Sequence, residues 1–286
     1  MNRKLIIGAA VSVLIAGVVV VVSVNSGRGP EVTGREYVDH IAAGEWDAAT
    51  AMVEPFRIVA GPAVKRINVV DVSAIGDDEV AVHYELDGAP SHVRLPVYQG
   101  PDELGVFERW RVRDPLLVGV WAKTTLARDF LIAGVRVGPT SISMYPGVYE
   151  LKGLPSKYLT TDPAVVVVDH FHASLGGSVT AGLVYRATPA LNELVQARLT
   201  EHAASCFAGS AAKGCPLDYR SFRDVGSDFA VAEQPKLDTV GVYADNGVTG
   251  LRFKSTPGRM TYVRDGKTRT QDFRVYGRVD VSPPTP

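Results

Sequence analysis

Tyr37-Val38-Asp39-His40-Ile41-Ala42-Ala43-Gly44-Glu45-Trp46-Asp47-Ala48-Ala49 is the stretch on which the fold turns. Tyr37, Val38, Ile41 and Ala42 recur at helical spacing and form one apolar stripe, and Gly44 stops that helix. Just upstream, Thr33-Gly34-Arg35-Glu36 has the pattern of a capping box, with Thr33 as N-cap and Glu36 reaching back to it. A second short helix is predicted over 45–53, with Trp46, Ala49, Met52 and Val53 inward and Pro55 ending it. Beyond it the apolar period changes from helical to two. Val80, Val82, Tyr84 and Leu86 alternate with polar neighbours, as do Val93, Leu95 and Val97, and the series closes at Phe107 to Arg113. Two helices followed by a meander of strands predict an α+β unit whose sheet curls around its helices.

The same residues resemble the opening of small NTF2-like domains of the lumazine-binding-protein-like kind. In those domains a helix ends in Ala-x-Gly-Asp/Glu before a second, alanine-rich helix, as Ala42-Ala43-Gly44-Glu45 does here. The resemblance covers roughly residues 31–113 and implies a cone. Such cones serve as enzymes, ligand pockets or bare docking modules, so the fold implies no single function.

Downstream of Pro115 the texture is all strand. Leu117 to Trp121, Phe130 to Thr140 and Met144-Tyr145-Pro146-Gly147-Val148-Tyr149-Glu150-Leu151 succeed one another, a pattern that loosely resembles the small β modules called PEGA domains. Val165 to Leu175 and Thr180 to Arg186 read as a strand pair. Thr188-Pro189 opens a helix, with threonine as N-cap and proline in the first turn. Leu191, Leu194, Val195, Leu199, Ala203 and Cys206 share one face of it. Strands return at Val248 to Phe253, Arg259 to Arg264 and Asp272 to Val281, with Asp265-Gly266 as a hairpin-like turn signal. The expected organisation is anchor and tether over 1–30, an NTF2-like domain over 31–113, a β-rich module over 114–187 and an α+β module over 188–286.

Upstream, Arg3-Lys4 precedes an uncharged run from Leu5 to Val24. About 20 residues at 1.5 Å each match the roughly 30 Å hydrocarbon core of a bilayer. Arg3 and Lys4 set the orientation, with a cytoplasmic N-terminus and the bulk extracytoplasmic. A cleaved signal peptide is the rival reading, but its apolar region usually spans about 7–15 residues, and Val22-Ser23-Val24-Asn25-Ser26 is a poor cleavage site. Gly8, Ser12 and Ala16 make a small-residue face suited to packing on another helix. The only cysteines, Cys206 and Cys215, enclose a short loop and read as one disulfide, which fits an exported chain. In this order, anchor, NTF2-like unit, Tyr-Pro-Gly-Val-Tyr strand and Cys-x8-Cys-Pro loop resemble a group of actinobacterial single-pass membrane proteins. That resemblance spans most of the chain and implies no activity.

Charge and motifs exclude more than they assign. Lys plus Arg number 30 and Asp plus Glu 31, so neither a nucleic-acid partner nor acidic disorder is indicated. His170 and His172, one apart in a strand, share a face and could ligate a metal with a third residue, but same-face histidines are more often ordinary sheet residues. Ser210-Ala-Ala-Lys213 matches Ser-x-x-Lys but lacks its Ser-Asp-Asn and Lys-Thr-Gly partners. Gly266-Lys267-Thr268 has no glycine-rich loop before it. Arg109, Arg111 and Arg113 line one strand face, read as a solvated exterior opposite Trp110 and Val112. No residue is assigned as catalytic, metal-binding or cofactor-binding.

The resulting expectation is a single-pass cell-membrane protein, held in the lipid bilayer by its N-terminal helix. It would act as a non-enzymatic binding or docking module in the cell envelope. Its partner would be an envelope protein or wall component. The alternative is an envelope enzyme or small-ligand carrier using the pocket of the NTF2-like domain.

Overall fold

The structure is a computed structural model that describes residues 28–53, 58–103, 107–126, 128–170, 178–207, 227–245 and 248–280. It is α+β and rich in strands. The helices among the described residues are α1 (Pro30–Ala43), α2 (Trp46–Ala51) and α3 (Pro189–Phe207). The strands begin with β1 (Asn68–Ala74), β2 (Glu79–Leu86), β3 (Ala89–Glu103), β4 (Phe107–Val112), β5 (Val118–Thr124), β6 (Phe130–Ile132) and β7 (Val135–Val137). They continue with β8 (Ser141–Met144), β9 (Gly147–Gly153), β10 (Leu159–Thr161), β11 (Ala164–Val168), β12 (Ser178–Leu183) and β13 (Tyr185–Ala187). After α3 come β14 (Ser227–Glu233), β15 (Leu237–Asp245), β16 (Val248–Ser255), β17 (Gly258–Arg264), β18 (Lys267–Phe273) and β19 (Tyr276–Val279).

The chain divides into two compact units. The first comprises the described parts of Met1–Ala122, Leu131–Leu151 and Ala164–Gly182, and the second those of Lys123–Phe130, Lys152–Pro163 and Leu183–Pro286. No described helix is long and apolar enough to cross a membrane. The run from Leu5 to Val24, with Arg3, Lys4, Gly8, Ser12 and Ala16, lies outside the described residues.

In the first unit α1 begins earlier than the capping-box pattern suggests. Pro30 sits in the first turn, where its fixed φ suits the helix and its missing N–H costs nothing. Thr33 already donates its amide to the Gly29 carbonyl at 3.0 Å, so it is a buried helical residue and not a cap. Gly44 ends the helix as expected. At φ 78° it donates to the Ile41 carbonyl while the Glu45 amide reaches the His40 carbonyl, the two bonds of a Schellman motif. Tyr37, Val38 and Ile41 bury completely against a four-stranded antiparallel meander, β1-β2-β3-β4. Its inner face carries Val72, Val80, Val82, Tyr84, Leu86, Leu95, Val97 and Val112. Asp87-Gly88 closes the β2–β3 hairpin with φ of 54° and 82°, the primed turn that matches strand twist.

The remaining strands of this unit belong to the sheets β11-β9-β6-β7 and β12-β5-β8. Strands β11 and β12 therefore do not pair with each other. Val168 ends β11, whose antiparallel partner is β9, and residues 171–177 are not described.

In the second unit Thr188 caps α3, its hydroxyl accepting the Leu191 amide at 3.4 Å and donating to the Lys157 carbonyl at 2.8 Å. Leu199 and Ala203 pack with Met260, Phe273 and Val275 under the sheets β14-β17-β18 and β15-β16-β19. Gln196 clamps the strand opposite, its carbonyl accepting the Leu237 amide at 2.6 Å. The expected strand over Asp272 to Val281 is two strands in different sheets. Buried Val275 turns the corner between them, exchanging bonds with Ser255. The Asp265-Gly266 turn between β17 and β18 is as expected, with φ of 51° and 69°.

Candidate functional site

Strand alternation places Tyr84 on the inner face of β2 and Ser91 on the inner face of β3, directly opposite each other in register. The end of β11 brings Asp169 onto them. Asp169 is fully buried, and its Oδ1 accepts the Tyr84 hydroxyl at 2.6 Å. The Ser91 hydroxyl donates between both carboxyl oxygens, at 3.0 and 2.9 Å. His170, the next residue, brings Nδ1 to 3.3 Å from the same tyrosine hydroxyl. Four polar side chains thus converge inside the first unit, from residues 78 to 86 positions apart.

Burial dominates their electrostatics. It pushes the Tyr84 phenol above its ordinary range, and the bond to Asp169 pushes the same way because a carboxyl acceptor favours the protonated phenol. Burial also lowers His170 below its ordinary value, an effect that nearby Asp169 partly offsets. Tyr84 is therefore a hydrogen-bond donor and His170 a neutral ring at neutral pH. The set can hold a proton donor, an acceptor and an imidazole in fixed order, but both hydroxyl protons are already directed at Asp169.

Aromatic side chains pack between the helices and the sheet of this unit. Trp46 stacks on Tyr145 with ring centroids 5.5 Å apart, and Tyr37 meets Tyr145 edge-on at 6.4 Å. Tyr37 also accepts the Leu116 amide at 2.8 Å, and Thr50 reaches the Tyr145 hydroxyl at 3.1 Å. An open groove of about 670 Å³ occurs in the second unit, along α3, β16 and β19. Its lining combines apolar Leu194, Leu199, Phe253 and Val275 with charged Arg198, Glu201, Arg278 and Asp280, and includes Tyr276. Leu194, expected inward, is 39% exposed there, and Tyr276 is 70% exposed.

The sequence-marked residues fall in several places. Strand alternation would turn Asp169 away from His170 and His172, but Asp169 is the centre of the cluster, and His170 lies in a turn beyond β11. His172, Ser210, Lys213 and Cys215 lie outside the described residues, as does the side chain of Cys206 at the end of α3. Arg109 and Arg113 are exposed, Arg111 is half-buried and Val112 is fully buried, in the expected alternation. Lys267 and Thr268 enter a strand, not a helix. Among the described residues no group of three or more His, Cys, Asp or Glu is arranged to hold a metal ion. No sequence signal marked Asp169, because its partners are remote in the chain. Comparison with protein families, curated proteins and solved structures gives no match, so any family assignment rests on the local resemblances above.

Proposed function

We propose that this chain is a membrane-anchored extracytoplasmic protein that acts as a non-enzymatic docking module in the cell envelope. Its address rests on the charge-free run from Leu5 to Val24 behind Arg3-Lys4. One observation carries the binding role. Aromatic side chains pack within the first unit, and the second offers an open groove of mixed apolar and charged lining, with Tyr276 and Leu194 exposed in it. An open groove that sets exposed apolar and aromatic side chains among charged ones favours a protein partner. The α1–α2 pair and the β1–β4 meander support an NTF2-like unit used as a scaffold and not as a ligand cone.

Cross-linking of the full-length protein in intact cells, read by mass spectrometry, tests this. Reproducible cross-links from α3 or β19 to one envelope protein, lost in Tyr276→Ala, are expected. Reproducible cross-links that all avoid this face, or none to any protein, would overturn it.

A second reading, an envelope enzyme or small-ligand carrier, draws on the Tyr84–Ser91–Asp169–His170 convergence. It requires a molecule to reach those side chains. Ligand screening by thermal shift separates the readings, since a hit abolished by His170→Ala would favour the second.

A further inference from the structure

We propose that His83 and His92 form a two-imidazole chelate for a divalent transition-metal ion, of the copper, nickel or zinc class, on the outer face of the first unit's sheet. This goes beyond the docking role and does not rest on it. On β2, Val80, Val82, Tyr84 and Leu86 are buried, so Ala81, His83 and Glu85 face outward. On β3, Ser91, Leu95 and Val97 are buried, so His92 and Arg94 face outward. His83 and His92 are direct cross-strand partners, and both are exposed.

Proline fixes which kind of pair they make. Pro90 opposes Glu85 and Pro96 opposes Glu79. Proline has no N–H to give, so these are non-hydrogen-bonded positions, and strict alternation puts His83–His92 in the same class. Side chains at such pairs stand closest, with Cα atoms about 4.5 Å apart.

The ring separation matches a shared ion. A nitrogen–metal bond of about 2.0–2.1 Å puts each ring centroid roughly 3.2 Å from the metal. Two imidazoles at right-angled or tetrahedral positions then have centroids about 4.5–5.2 Å apart. The observed separation is 4.7 Å, with the rings inclined by 51°. χ2 of an exposed imidazole is soft, so the rings are free to reorient towards a shared ion.

The surrounding charge favours a cation. Asp71 on β1 is the register partner of His83 on its other side, and Glu85 lies two residues along the same face. The nearest outward cation on β3, Arg94, is engaged by Glu79 at 3.5 Å. The protein supplies two ligands and solvent completes the shell, since no described group of three or more His, Cys, Asp or Glu is arranged around an ion. Imidazole ligands select copper, nickel and zinc, with copper bound most tightly among the divalent ions.

Calorimetric titration of the tag-free, full-length protein with Cu²⁺, alongside electron paramagnetic resonance of the loaded sample, tests the proposal. One binding event per chain is expected, with nitrogen hyperfine structure from two imidazoles. His83→Ala and His92→Ala should each weaken it by about tenfold or more, whereas His40→Ala should leave it unchanged. Both positions are exposed, so the variants should unfold at the parent denaturant midpoint, which the same samples can verify. A titration identical in parent and double variant overturns the chelate, as does loss in only one of the single variants.

Discussion

Asp169 shows how one buried carboxyl can hold a unit together without a matching sequence motif. Tyr84 and Ser91 come from one hairpin, Asp169 from the position just past a strand of another sheet, and the bonds between them are short. Truncation at Asp169 would leave two buried hydroxyls without their acceptor, at about 1–3 kcal/mol each. Asp169→Ala should therefore destabilise the first unit by about 2–6 kcal/mol, measured by urea unfolding. Tyr84→Phe removes one donor and should cost about 1 kcal/mol. An Asp169→Ala variant within 1 kcal/mol of the parent (about the size of one such bond) would show that the cluster contributes little to stability. His170 adds a pH signature. Its pKa is lowered by burial, so below its ordinary value of 6.5 the unfolded chain binds a proton that the folded one resists. Stability from this group is full above pH 6.5 and falls as the pH drops towards the lowered folded value. His170→Ala should flatten that part of the stability–pH curve, and an unchanged slope would remove His170 as its source. None of this was legible in the chain, where Asp169 is an ordinary acid after a valine run. Its role depends on partners about 80 residues away.

Elements were legible where local chemistry and tertiary packing agree. Gly44, the Thr188-Pro189 start and the Asp265-Gly266 turn are local devices, and each stands where the sequence puts it. The start of α1 differs because Thr33-x-x-Glu36 satisfies a capping pattern while Pro30 supplies an earlier start. The helix gains a turn that packs on β2. That packing has a cost at Gly34. A Cβ there would stand 2.9 Å from Val80 Cγ1 and 3.2 Å from Val80 Cβ and Cγ2, and valine is stiff about χ1. Gly34→Ala would gain about 1 kcal/mol of helix propensity in an exposed helix. Here the overpacking, about 1–3 kcal/mol, should win and give net destabilisation. Paired with Val80→Ala, the same substitution should become stabilising relative to Val80→Ala alone. A double-mutant cycle by chemical unfolding reads the coupling, and strict additivity would mean that α1 shifts freely on the sheet. Strand pairing was the least legible feature. The valine run over 164–168 and the run over 178–183 each read as strand, but alternation alone does not say that their partners are β9 and β5.

At the scale of the molecule the deciding property is which side of a membrane the two units occupy, and the N-terminal sequence makes a sharp prediction. On the proposed reading, Leu5 to Val24 would cross a bilayer as a helix, and Arg3-Lys4 would hold its start on the cytoplasmic side. Everything from α1 onward would then lie outside, in a compartment that favours disulfides. Closing the loop between Cys206 and Cys215 would contribute about 2.5–3 kcal/mol by the chain-entropy account. Both consequences can be read in one preparation. Protease added to wall-stripped intact cells should digest the chain from α1 onward, leaving a fragment of residues 1–30 in the membrane. Protein recovered under thiol-blocking conditions should take up no alkylating label before reduction and two labels after it. Protection of the whole chain from external protease, or two labelled thiols without reductant, would place the units on the cytoplasmic side. The docking proposal would then lose its envelope partner, while the His83–His92 chelate, which depends only on β2 and β3, would stand or fall on its own titration.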